Sequence, residues 1–210
     1  MLRPPFRSFR GLYAPEHLIR LILALPPSDS PHYTEQDISK WAFVNIYLRQ
    51  EMPSAGLLET YMYFLDRHFF FGHLCNTVRL KVFQEDTNRS DMYGFFDPNE
   101  GEIGVFLHHR GNILSLNEAL DTLIHQMTLA CICIFSSQQL ASDPLQLDIH
   151  GGHGMYWNIL FHSIVNRVRG WHPSLEALRT RVWLTPSQRL EILGNPQLGH
   201  VTDLFTKLEL

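Results

Sequence analysis

The segment from Ser115 to Ile134 constrains the fold more than any other part of the sequence. It begins with Ser115-Leu116-Asn117-Glu118, the pattern of a capping box, in which the first and fourth side chains each accept a hydrogen bond from the other residue's backbone N–H. Apolar residues then recur every three or four positions, which predicts a long helix with one face in the core. The residues expected on that face are Leu116, Ala119, Leu120, Leu123, Met127, Cys131 and Ile134.

An incomplete metal-binding pattern lies on this predicted helix. In the H-E-x-x-H motif of zinc proteases, two His on one helix face bind the metal and the Glu acts as general base. Here His125 occupies the first His position, Gln126 the Glu position and Leu129 the second His position. A Gln amide cannot act as a base near neutral pH, and loss of general-base help lowers a rate by about 10² to 10⁴. We therefore expect Gln126 to be an inactive counterpart of the base.

A glycine-rich segment downstream contains two further candidate ligands. A helix face offers only two ligands at i and i+4, so a third must come from another segment. His153 lies between Gly152 and Gly154, and such flanking glycines allow the backbone to turn tightly near a metal. His150 precedes it by three residues. Two interpretations stay open: a remnant pair of ligands that binds zinc weakly or not at all, and a non-standard zinc site in which His150 substitutes for the missing ligand.

The remaining pattern predicts an α+β fold. Helical spacing is found over residues 16–25, after Thr34, after Ser54 and over residues 154–169, while alternation predicts strands at 77–84, 92–96 and 102–107. We expect the motif helix to pack on a small antiparallel sheet, with extra helices at both ends. The helix after Thr34 carries Ile38, Trp41, Val44 and Leu48 at helical spacing.

These residues and their order resemble the SprT-like domain, a zincin-type metalloprotease domain also found in Spartan-type DNA–protein crosslink proteases. The resemblance covers roughly residues 55–170 and includes the motif helix with its damaged H-E-x-x-H motif. It also includes Gly152-His153-Gly154-Met155-Tyr156-Trp157, which fits the family pattern G-H-G-x-x-[FW]. The resemblance implies a zincin-like fold, one zinc held by three His, a Glu that activates water, and hydrolysis of peptide bonds near DNA. Only His125 and His153 match its ligands.

The resemblance divides the chain into three parts and suggests two functions. Residues 1–30 are expected to be a partly disordered extension, residues 31–183 the SprT-like domain and residues 184–210 a helical extension. We expect a domain without peptidase activity that binds a peptide or protein partner. The alternative is a zinc metallopeptidase with a non-standard site, linked to DNA–protein crosslink repair.

Net charge and cysteine usage indicate which binding partners and which cellular compartment suit this protein. A net charge of −4 argues against attraction of the whole domain to nucleic acid or an anionic membrane. A late basic cluster, formed by Arg167, Arg169, Arg179 and Arg181, gives only weak support for nucleic-acid binding. The three cysteines lack C-x-x-C spacing and are expected to be free thiols, which favours a nuclear or cytoplasmic protein.

No membrane association and no mitochondrial import are expected. Polar residues interrupt the apolar stretches before the roughly 18 positions that a membrane span requires. The N-terminus is rich in Arg, but Pro4-Pro5 and Pro26-Pro27 break any long amphipathic helix of the kind found in transit peptides. The sequence gives no indication of the oligomeric state.

Overall fold

The computed structural model describes residues 13–23, 35–50, 52–84, 92–137 and 154–178. Its elements confirm the predicted α+β class. In chain order they are α1 (Pro15–Leu23), α2 (Glu35–Tyr47), α3 (Ala55–Phe69), β1 (Arg79–Phe83), β2 (Gly94–Asp97), β3 (Glu102–Phe106), β4 (His108–His109), β5 (Asn112–Ile113), α4 (Leu116–Phe135) and α5 (Met155–Arg169), followed by the 3-10 turn Pro173–Leu175.

The three-stranded sheet is mixed, with the strand order β1-β3-β2. β2 and β3 form an antiparallel hairpin, while β1 runs parallel to β3, with Arg79 opposite Glu102 and Phe83 opposite Phe106. The prediction of an antiparallel sheet is therefore wrong for the β1–β3 pair. Alternation of apolar residues indicates which face of a strand is buried but not its direction, and only the β2–β3 pair is joined by a tight turn that enforces antiparallel pairing.

Helix α4 is the central helix of the fold. The predicted capping box is present, since Ser115 Oγ accepts from the Glu118 N–H at 3.3 Å and Glu118 Oε2 accepts from the Ser115 N–H at 2.9 Å. Six of the seven residues predicted on its core face are buried, and Ile134 is partly buried. The helix packs against β2 and β3 on one side and against α1, α3 and α5 on others.

By length and composition alone, α4 is long and apolar enough to cross a membrane, and polar residues such as Glu118, Asp121 and Gln126 interrupt its sequence. The most apolar 18-residue window of the helix is, however, 67% buried inside the fold. Such burial is typical of the core helix of a globular domain. It is the single helix with this property in the part of the chain that the structure describes.

Three of the four apolar residues at helical spacing in and just after α2 are exposed, while Val44 is partly buried against the core. Ile38, Trp41 and Leu48 are 56%, 69% and 51% exposed. Phe43 is fully buried instead, with its ring 4.6 Å from that of Tyr61 on α3. Phe43 lies about 200° around the helix from Trp41, on the side where α3 supplies a surface to pack against. Neighbouring elements, rather than apolar spacing, decide which side of α2 is buried.

Helix α1 packs onto α4 and α5 although it falls within the predicted N-terminal extension. Leu18, Ile19 and Ile22 are buried and belong to the same core as α4. Two side chains of α5 donate hydrogen bonds to α1. Tyr156 Oη donates to the Glu16 carboxylate, and the Arg167 guanidinium donates to the Leu23 carbonyl. The predicted boundaries at residues 30/31 and 183/184 lie outside the described residues.

Candidate functional site

His125 lies on the side of α4 that faces α5. It is half-buried, and its ring centroid lies 4.5 Å from that of Trp157 and 5.6 Å from that of Phe161. The Trp157 indole N–H also donates to the His125 carbonyl at 3.3 Å. The first residue of the incomplete motif is therefore packed against a pair of stacked aromatic side chains on α5.

Gln126 lies on the side of α4 that faces β2. Its side chain is 6% exposed, and its Oε1 atom is buried without a hydrogen-bond partner among the described residues. The side chain runs beside Gly94, because a Cβ placed on Gly94 would be 3.4 Å from Gln126 Cγ. Such a Cβ would also be 2.7 Å from Thr122 Cγ2 and 2.5 Å from the Gly104 carbonyl oxygen. Glycine at position 94 therefore allows α4 to approach β2 closely.

Leu129 follows His125 by one helical turn, on the same side of α4. It is partly buried and packs against the hydrophobic core. Because a hydrocarbon side chain has no lone pair, this position provides no ligand for a metal. The i and i+4 positions of α4 therefore offer one imidazole where a zinc-binding helix offers two.

The described residues alone do not supply the ligands of a catalytic zinc site. Such a site takes three protein ligands and a water molecule. Within the described ranges, no group of three His, Cys, Asp or Glu side chains is arranged to hold a metal ion. The two candidate ligands in the glycine-rich segment, His150 and His153, lie outside those ranges. The described residues therefore provide one candidate zinc ligand of this motif, His125.

Sequence reasoning missed a buried carboxylate near the end of α3. Asp66 is 1% exposed, and its two carboxylate oxygens accept from the backbone N–H groups of Leu74 and Cys75 at 2.8 and 2.9 Å. Burial raises the pKa of this carboxyl group, while those hydrogen bonds oppose the rise. The only signal in the sequence was an acidic residue within the apolar stretch 61–71. Asp66 shapes the turn after α3.

The three cysteines are free, as predicted. Burial raises the pKa of Cys131 well above its usual range and that of Cys133 to about 11. Both therefore stay protonated near neutral pH. Since the thiolate is the reactive form of cysteine, α4 carries no activated nucleophile.

The predicted basic cluster is described only in part. The Arg167 guanidinium is half-buried and donates to the Leu23 carbonyl, so it joins α1 to α5. Burial lowers its pKa, but the side chain of an arginine stays charged in proteins. Arg179 and Arg181 lie outside the described residues.

Comparison of the chain with models of known families, with curated proteins and with solved structures gives no match. The SprT-like resemblance therefore depends on the motif residues and on the order of the elements. The class that the fold defines is α+β, with a central apolar helix carrying His125, Gln126 and Leu129 beside a small mixed sheet.

Proposed function

We propose that this chain contains a SprT-like domain without peptidase activity, and that the domain binds an extended segment of a protein partner along β2. One observation carries the proposal: Gln126 places beside Gly94 on that strand a buried hydrogen-bond acceptor that no described residue pairs with. A buried acceptor without a partner costs about 1–3 kcal/mol. A ligand that donates a hydrogen bond to Gln126 Oε1 would remove this cost.

The outer edge of β2 supports this use. β2 is a terminal strand of the sheet, and no described strand pairs with its outer side. The Phe106 N–H donates to the Tyr93 carbonyl, and hydrogen-bonded pairs alternate along an antiparallel ladder. Phe95 and Asp97 therefore bond to β3, whereas the backbone groups of Gly94 and Phe96 point outward. They can pair with an added strand, as in other cases of peptide binding by strand addition.

The chemistry at positions 126 and 129 favours binding without hydrolysis. A Gln carboxamide can accept a hydrogen bond from a peptide N–H, but it cannot take a proton from water near neutral pH. Leu129 contributes hydrophobic packing and no metal ligand. The free thiols are consistent with a protein of a reducing compartment, so we propose a nuclear or cytoplasmic location.

The proposed peptide binding can be tested with an unfolded protein as the ligand. Reduced and carboxymethylated lactalbumin is titrated into the isotope-labelled chain, and binding is followed by NMR at the amides of Gly94 and Phe96 while cleavage is followed by electrophoresis. We expect binding at these amides without cleavage. Gln126→Leu removes the acceptor and should weaken binding about tenfold, the equivalent of one hydrogen bond.

The matched control is Thr128→Val on the same helix. Thr128 is fully buried, and its hydroxyl donates to the Ile124 carbonyl within α4. Binding should be unchanged in this variant, so a loss specific to Gln126→Leu supports the proposal. Equal binding by both variants would contradict it. Zinc-dependent cleavage that is lost on His125→Ala would instead support the alternative, a metallopeptidase with a non-standard site.

A further inference from the structure

A cavity of about 230 Å³ lies between α1, the turn after α3 and the C-terminal part of α4. Its floor is formed by Cys131 and Phe135 of α4, and one wall by Leu18 and Ile22 of α1. All four side chains are buried. The cavity is separate from the proposed peptide site, because Cys131 points about 140° away from Gln126 around the helix.

The rim of this cavity carries an aromatic residue in an unfavourable backbone conformation. Phe71 has a φ of 59°, in the left-handed region that bulky residues rarely adopt. The Asp66 carbonyl accepts from the Phe70 and Gly72 N–H groups and thereby fixes the turn. Phe71 is 37% exposed. Strained residues persist where the surrounding structure imposes them, and they cluster at ligand sites.

The lining of the cavity indicates the chemistry of a ligand. Among the described residues, no Asp, Glu, Lys or Arg lines it, and its polar members are Tyr13 and His73. A charged ligand would therefore lose its hydration without gaining an ion pair. The rings of Phe70, Phe71 and Phe135 offer edge-to-face contacts to an aromatic ligand, and the sulfur of Cys131 is a further favourable neighbour.

The size of the cavity limits the ligand further. An apolar cavity of about 150 Å³ binds benzene. A volume of about 230 Å³ leaves room for a second fused ring but not for a large cofactor. We propose that this cavity binds a compact, uncharged aromatic molecule of one or two fused rings. This inference is independent of the proposed peptide binding.

Indole is a suitable probe. It is titrated into the chain with labelled methyl groups, and the resonances of Leu18 and Ile22 are followed by NMR. We expect saturable shifts with a Kd of about 1 mM or tighter. The variant Cys131→Met places a larger side chain into the floor of the cavity and should weaken binding by about tenfold or more.

Cys133→Met is the matched control, because Cys133 lies on the same helix but does not line the cavity. Indole affinity should be unchanged in this variant. A second test variant, Phe71→Ala, changes a partly exposed rim residue and should weaken binding by about threefold or more. It keeps the inference testable if Cys131→Met does not fold.

Three results would overturn the inference. The first is the absence of saturable shifts in the unmodified protein. The second is unchanged affinity in Phe71→Ala and, if that variant folds, in Cys131→Met. The third is a set of indole-induced shifts centred on Gly94 and Phe96, which would place the ligand at β2 instead of in the cavity.

Discussion

Helices α4 and α2 both have amphipathic sequences, but the fold uses them in opposite ways. The predicted core face of α4 is buried almost throughout, whereas Ile38 and Trp41 on α2 and Leu48 just after it are exposed. Helix α4 contacts β2, β3 and three helices, while α2 packs mainly against α3. Apolar spacing therefore predicts the buried side of a helix only when other elements surround that side.

The largest expected loss of stability comes from a substitution that tests which side of α2 is buried. Phe43→Ala should lower the free energy of unfolding by about 3–5 kcal/mol, because it removes a fully buried ring. Trp41→Ala should change it by about 0.5 kcal/mol or less, because the side chain is 69% exposed. Urea unfolding of both variants measures the difference. A larger loss for Trp41→Ala would show that the exposed face of α2 is covered.

The contact between α2 and α3 should weaken in acid. Burial lowers the pKa of His68 to about 4, and its Nδ1 atom lies 2.8 Å from the Gln36 carbonyl oxygen. The usual pKa of about 6.5 applies to the unfolded chain, which therefore binds more protons between pH 6.5 and 4. Stability should fall as the pH is lowered through this range, by up to about 3 kcal/mol.

The control for this prediction is His68→Gln, since Gln does not titrate. Other acidic groups contribute to acid unfolding in both proteins, so the informative quantity is the difference in slope between them. The unmodified protein should lose stability more steeply than His68→Gln between pH 6.5 and 4. Parallel slopes would mean that His68 takes up a proton as easily in the folded state as in the unfolded chain.

A substitution at the close approach of α4 to β2 should cause a smaller loss of stability. Gly94→Ala should lower the free energy of unfolding by about 1–3 kcal/mol, because its Cβ would lie 2.5 Å from the Gly104 carbonyl oxygen. Gly56→Ala is the matched control in α3, where a Cβ meets nothing within 4 Å. That variant should instead be stabilised by about 0.4–1 kcal/mol. Thermal unfolding distinguishes the two outcomes.

The smallest expected effect concerns the turn after α3. The free energy of unfolding of Phe71→Gly should exceed that of Phe71→Ala by about 1 kcal/mol, because residue 71 has a positive φ. Comparing the urea midpoints of Phe71→Gly and Phe71→Ala isolates the backbone effect, since both remove the ring. Equal midpoints would mean that the backbone of the turn relaxes once the ring is gone.

The sequence predicted those parts of the fold that depend on local signals. The capping box at Ser115 located the start of α4, and Ser54 accepts from the Leu57 N–H at the start of α3. The spacing of His125, Gln126 and Leu129 also placed each side chain on a definite side of α4. These features are decided within a few residues of one another.

The remaining features depend on contacts between distant segments. The parallel pairing of β1 with β3, the burial of Phe43 and the cavity next to Cys131 each require elements that are far apart in the sequence. No local pattern encodes the direction of a strand or the side of a helix that a neighbour covers. The role of Asp66 was missed for a different reason: its partners are nearby backbone N–H groups of the following turn, and the residue types in that turn do not reveal such hydrogen bonds.

Restoring the missing side chains tests the central claim most directly. The double variant Gln126→Glu with Leu129→His is compared with Gln126→Glu with Cys133→His, whose new His lies about 12 Å along the helix from His125. Zinc binding is measured by calorimetry and cleavage with carboxymethylated lactalbumin. We predict that the first variant binds one zinc and cleaves the substrate, while the control and the unmodified protein do not cleave it. Equal zinc binding by both variants, or cleavage by the unmodified protein, would contradict the account.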